Sequence, residues 1–352
     1  MQFKKSDIEL RKSKYNALND KLSYLSNGSI KKMIVQKKPD EFKKWGLNKV
    51  IIFNKTKIFI KAIPVAKLFA ENNNHLNSTN LYKIPAYYNY GFGSAGVNPW
   101  REVLLHIKTT NYVLTDKFHN FPLLYHYRII EDDNNENFES GLDERLLKRW
   151  DNNKNIIKYL KDRSNAKYKI VLFLEYIPNV AWHYLQDNPN FIKPFYDATI
   201  KIVTFINKNG ILHNDGHLGN YVIDKNKNVY ITDFGLSLDH DFNLDKSEKK
   251  FMLMNKKLDQ VYTTDNIISN YIHKCVHNPK IEAKYELKKY DSTLKLTKYI
   301  IDNMDIIKKD IVMNNFQYNF IKKYKNKIIR YIAWKRGFKD TKNKKKYFID
   351  SL

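Results

Sequence analysis

Ile211-Leu212-His213-Asn214-Asp215-Gly216-His217-Leu218-Gly219-Asn220 runs directly into Tyr221-Val222-Ile223, a turn at Asp224 to Asn228, and Val229-Tyr230-Ile231-Thr232-Asp233-Phe234-Gly235. Read as chemistry, this is a loop that offers a carboxylate, Asp215, and an amide, Asn220, followed by a short hairpin that presents a second carboxylate, Asp233. Phosphoryl transfer needs such a set: one carboxylate to hold the attacking hydroxyl and accept its proton, and an Asn with a second Asp to hold Mg²⁺ against phosphates. Upstream, Phe191 to Lys208 has helical spacing and stops at Asn209-Gly210, a suitable C-terminal cap, so the loop is entered from a helix.

These residues resemble the catalytic and metal-binding loops of the protein kinase superfamily. Its His-x-Asp-x-x-x-x-Asn pattern is matched by His213, Asp215 and Asn220, and its Asp-Phe-Gly by Asp233, Phe234 and Gly235. The resemblance implies an α+β, bilobal fold with a strand-rich N-terminal lobe and a helical C-terminal lobe. ATP and Mg²⁺ would lie between the lobes, with Asp215 as base and Asn220 and Asp233 on the metal. Further upstream, Ile58-Phe59-Ile60-Lys61-Ala62 is similar to the strand whose lysine grips the α and β phosphates. Val171 to Pro178 is similar to the strand entering the hinge, with Leu174 as gatekeeper and Glu175, Tyr176 and Ile177 where backbone groups meet adenine. The carboxylate partner of Lys61 is expected at Glu102, on the helix before the next strand; Glu71 is the alternative, closer in sequence.

Three departures keep the acceptor open. The glycine-rich phosphate loop is absent between the strands that should flank it, where Lys37 to Gly46 stands instead; Gly91-Phe92-Gly93-Ser94-Ala95-Gly96 occurs after the lysine strand. That segment is either a flexible connection or a displaced phosphate lid built on Gly91, Gly93 and Gly96. The loop carries His217 where Ser/Thr protein kinases place lysine, so Asp-x-His-x-Gly-Asn is also similar to aminoglycoside phosphotransferases. His217 either neutralises the γ-phosphate or braces the loop by hydrogen bonding. No Ala-Pro-Glu follows Gly235. The expected activity is therefore ATP-dependent phosphorylation of a hydroxyl, in the first instance a protein Ser/Thr. The alternatives are a small-molecule phosphotransferase and a nucleotide-binding pseudokinase or adaptor.

The rest of the 352 residues supports a soluble globular chain, with 43% hydrophobic and 28% charged residues. An N-terminal helical extension occupies 1–30, the N-lobe 31–177 with an insertion at 131–167, the C-lobe core 178–280, and a basic helical part 281–352. Strands are expected over Lys32–Gln36, Lys49–Phe53, Ile58–Ile63, Phe121–Ile130 and Tyr168–Ile177, and a proline-capped helix from Asn98 to Asn111. A formal charge of +25 favours phosphate-rich partners. Lys322 to Lys346, with Tyr324, Tyr331, Trp334 and Phe338 interleaved, either binds nucleic acid or an anionic surface, or is a helix with one solvated face. One cysteine, Cys275, excludes an intrachain disulfide, and no apolar run approaches a membrane span, so a cytoplasmic location is expected, in a cell or in a host's cell.

Overall fold

The computed structural model describes residues 3–35, 41–43, 46–131, 143–276, 278–310, 315–341 and 344. Gln36 to Asp40, Lys44 and Trp45, the acidic run after Glu131 with Gly141, and most of the lysine-rich segment after Thr341 lie outside them. The fold is mixed α+β. β1 (Glu41–Lys43), β2 (Gly46–Phe53), β3 (Thr56–Val65), β4 (Leu124–Glu131) and β5 (Tyr168–Glu175) form one antiparallel sheet in the order β1-β2-β3-β5-β4. Asn54 and Lys55 turn β2 into β3 with φ of 47° and 60°, the left-handed pair that a tight hairpin requires. Side chains alternate along a strand, so Phe59, Lys61 and Ile63 share one face of β3, and in the register Asn48 and Val50 of β2 stand opposite Lys61 and Phe59.

The strand expected over Lys32–Gln36 is instead the end of a helix, Asn27–Val35. Met33-Ile34-Val35 is too short for periodicity to separate the two forms, and the Ser26 hydroxyl, accepting from the Ser29 amide at 3.1 Å, starts the helix. The Pro99–Leu114 helix begins as its sequence dictates, with the Asn98 side chain accepting from the Trp100 amide at 2.9 Å. Trp100 then fixes the helix against the sheet side by donating its indole N–H to the Phe69 carbonyl at 2.8 Å. The expected insertion is helical, as Glu144–Arg149 and Lys154–Ser164.

After Glu175 the chain is mainly helical, with strands of only two or three residues. The Ile192–Lys208 helix buries Phe195, Thr199, Ile202, Val203 and Ile206 along one stripe, and each large apolar side chain there contributes about 1.5–3 kcal/mol. Gly210 ends it with φ 76°, and a Cβ at that position would overlap the His240 ring. β6 (Asn179–Val180), β8 (Tyr221–Ile223) and β9 (Val229–Ile231) pair, as do β7 (Ile211–Leu212) and β10 (Leu238–Asp239). These clips fix both ends of the loop at 213–220 and of the segment at 232–237. A buried ion pair, Arg101 to Glu248 at 2.6 Å, ties the Pro99–Leu114 helix to the Lys246–Met254 helix. The Asn315–Asp340 helix turns Phe320, Tyr331 and Phe338 inward and leaves Lys322, Lys323, Lys325 and Arg330 exposed. Among the described residues no helix is long and apolar enough to cross a membrane.

Candidate functional site

Lys61 Nζ lies between two carboxylates, 2.7 Å from Glu102 and 2.8 Å from Asp233. Burial works against its charge, but the fields and hydrogen bonds of Asp233 and Glu102 prevail and hold its pKa above the ordinary lysine value. For Asp233 burial is likewise opposed, and Lys61 with the Gly235 amide pushes the carboxyl down to about 2. Asp233 sits at φ 64°, a left-handed conformation that Asp tolerates better than most residues. Glu71, the alternative partner, is exposed at the end of the Lys67–Ala70 turn.

The 213–220 loop is held from below by a residue that no local pattern announces. Asp259, in the first turn of the Leu258–Val276 helix, accepts from the backbone amides of His213 at 2.8 Å and Asn214 at 2.9 Å. The Asn214 side chain donates to the Leu236 carbonyl, joining this loop to the segment after Asp233. Asn220 Nδ2 donates to the Asp215 carbonyl at 2.9 Å and to its carboxylate at 3.2 Å. With its nitrogen engaged, Asn220 has its amide oxygen to offer a cation. Burial, reinforced by the charge of Asp233, raises the Asp215 pKa well above the usual carboxylate range, against the Asn220 bond and Lys61. His217 accepts from the Gly219 amide through Nδ1 at 3.0 Å, while its Nε2 lies 3.7 Å from Asp215. An accepting nitrogen requires the neutral ring, and burial lowers the His217 pKa in the same sense.

Two cavities meet at this cluster. The larger, about 560 Å³, has an apolar wall from Val50, Phe59, Leu174, Ile177 and Trp182, and reaches Lys61, Asn220 and Asp233 at its inner end. Glu175 and Tyr176 also line it, but the Glu175 carboxylate is spent on Arg11 of the Lys5–Ser23 helix, at 2.8 and 2.9 Å. Lys57 lies over the Tyr176 ring. The smaller cavity, about 280 Å³, is bounded by Lys61, Glu102, Arg163, Asp215, Asp233 and the Gly91–Ala95 segment. This segment lines the smaller cavity and does not border the strand-lined one. Gly91 lies so close to Asp215 that a Cβ would stand 2.3 Å from Oδ1, and a Cβ at Gly96 would stand 2.3 Å from the Gly235 carbonyl. Gly93, at φ 89°, packs against Leu146 and Arg149 of the insertion.

The donor set of Asn220 and Asp233, one amide oxygen and one carboxylate, suits a hard cation such as Mg²⁺ that keeps water and phosphate as its other ligands. A second cluster, Asp239, His240 and Asp241, is partly neutralised by Lys108, which bonds both aspartates at 2.7 and 2.8 Å. The sequence-derived residues Lys61, Glu102, Asp215, His217, Asn220 and Asp233 therefore converge, with Leu174 to Ile177 along one wall and Gly91 and Gly93 on the other. Asp259 and Arg11 were not foreseen, since each acts on residues far away in sequence, and Arg163 reaches the smaller cavity only through the fold. No protein-family model matches this chain and no curated protein matches it significantly, so the reading of the site rests on its own chemistry.

Proposed function

We propose that this chain transfers a phosphoryl group from ATP, with Mg²⁺, to a hydroxyl group, through a bilobal kinase-like fold. The observation that carries this reading is Lys61 held between Glu102 and Asp233 at the inner end of an apolar cavity, with Asp215 and Asn220 joined beside it. In this reading the apolar wall receives the base, Lys61 meets the phosphates, and Asn220 and Asp233 hold Mg²⁺, which when bound neutralises phosphate charge. Asp215 positions the acceptor hydroxyl and takes its proton, a role worth about 10²–10⁴ in rate. His217 holds the loop in shape through Gly219.

The sequence allows two acceptor classes, a protein serine or threonine and a small molecule. The close cover of Gly91 over Asp215 and the 280 Å³ beside it favour the small molecule. The test is purified protein with γ-labelled ATP and Mg²⁺, offered protein substrates and then an extract of small metabolites. Label in a metabolite, lost in Asp215→Asn, supports the reading; label in protein alone returns the acceptor to the protein class. ATP binding with no transfer would make the chain a nucleotide-binding adaptor.

A further inference from the structure

A single alcohol shares a cavity with Asp215. Among the described residues that line the smaller cavity, Ser94 alone carries a hydroxyl, and Lys61, Asp215 and Asp233 border the same space. Thr232 and Tyr176 line the larger cavity, which Asp215 does not border. The backbone holds Ser94 in this position from both sides. Gly91 approaches the Asp215 carboxylate, and Gly96 the Gly235 carbonyl, so closely that a Cβ at either would stand 2.3 Å away. Ser94 thus lies on a short span pinned at one end to the loop of Asp215 and at the other to the segment of Asp233. Gly93 and Gly96 take φ of 89° and 74°, a left-handed conformation that glycine adopts without strain, and they bend the span around Ser94. The serine oxygen is fixed as well: it accepts from the Gly96 amide at 3.1 Å and shares a hydrogen bond with the Tyr88 hydroxyl. At 9% exposure it is shielded from the active site of a second molecule.

We infer that Ser94 is an intramolecular phosphoryl acceptor, modified by the site it lines. The inference rests on the phosphoryl-transfer reading and names one acceptor for it, additional to any small molecule. In the step, the Ser94 oxygen attacks the terminal phosphorus of ATP and forms the new phosphorus–oxygen bond. The bond from that phosphorus to the bridging oxygen breaks, and ADP leaves with the electron pair. The serine proton passes to the Asp215 carboxylate. Because hydroxyl and base belong to one chain and are already held side by side, no encounter between molecules is needed.

The test uses the full chain, produced with a co-expressed phosphatase and then incubated with γ-labelled ATP and Mg²⁺. Peptide mass spectrometry locates the phosphate, and the chain's own label is read apart from that in any added protein. The expected result is phosphoserine at position 94, formed at a rate per molecule that does not change with protein concentration. Asp215→Asn loses the modification, and a mass-tagged Asp215→Asn chain stays unmodified when mixed with active wild type. Ser94→Ala carries no phosphate in this segment. Should Asp215→Asn fail to fold, Ser94→Thr decides the matter: phosphothreonine in place of phosphoserine supports the inference. ATP consumption with Ser94 unmodified overturns the inference and leaves the phosphoryl-transfer reading in place. Modification of the Asp215→Asn chain by wild type overturns it equally, since the acceptor would then be reached from another molecule. A wild type that consumes no ATP, with or without the metabolite extract, removes both readings together.

Discussion

Gly91 lacks a side chain at the one place where a methyl group would displace the Asp215 carboxylate, 2.3 Å away. Gly91→Ala is therefore expected to lower kcat more than about tenfold while nucleotide affinity is unchanged, because the reacting hydroxyl loses its positioned base; equal turnover by both forms would remove Gly91 from the site. At His217 the hydrogen bond from Gly219 sets the order of variants. The asparagine oxygen can replace Nδ1 as acceptor and a lysine cannot, so kcat of His217→Lys should fall at least about tenfold below that of His217→Asn at every pH. The reverse order would point to a charge role. His126 on β4 accepts from Arg128, and burial together with that charge pushes its pKa down to about 4. An unfolded histidine takes up its proton near pH 6.5, so between about 6.5 and 4 the unfolded chain binds more protons and stability falls as pH drops. His126→Asn should flatten that part of the curve, as read from urea midpoints at pH 7, 5.5 and 4. At this scale Asp215, Asn220 and Asp233 were legible because identity and spacing are local. Asp259 was not, since its only signal is a carboxylate in the first turn of a helix that begins 38 residues beyond Asn220.

The Lys5–Ser23 helix reads in sequence as an appended charged segment, yet its Arg11 reaches the end of β5. Besides Glu175, the Arg11 guanidinium donates to the carbonyls of His119 at 2.9 Å and Phe121 at 2.6 Å, and the Leu123 amide donates to the same Glu175 carboxylate. Breaking a buried pair leaves an uncompensated charge, so Arg11→Ala should cost about 3–5 kcal/mol of stability. Chemical denaturation measures it, and a loss under 1 kcal/mol would reduce the pair to a surface contact. Elements with strong local codes, such as the Asn54-Lys55 hairpin and the Asn98-Pro99 helix start, were readable in advance. The Asn27–Val35 helix was not, because a three-residue apolar run fits either period, and burial of Ile30 belongs to tertiary packing.

Across the whole molecule, the site is closed from sequence-distant ends. Tyr90 packs edge-on against Trp334 and Phe338, with centroids at 5.1 and 5.0 Å, and bonds Asn255 through its hydroxyl. Phe92 lies on the same cluster, and its carbonyl accepts from Arg149. The C-terminal aromatics thus hold the segment that covers Asp215. Phe338→Ala should cost about 3–5 kcal/mol and, at temperatures where the variant stays folded, lower kcat along with stability. Full kcat in the folded variant would show that the cover does not depend on this cluster. The sequence left the tail's aromatics open between stacking on nucleic acid and packing; Tyr331 and Phe338 are in the core, and the lysines carry the exposed face.

That arrangement sets the order in which the protein can become competent during synthesis. A ribosome releases the chain from its first residue onward at about 5–20 residues per second. Asp215, Asn220 and Asp233 therefore emerge more than a hundred residues before Phe338. A nascent chain halted between them carries every polar group of the site with nothing yet fastened over Gly91. If the chain transfers phosphoryl groups as proposed, competence would thus arrive with the Asn315–Asp340 helix, and a premature stop near residue 330 is expected to abolish turnover as completely as Asp215→Asn.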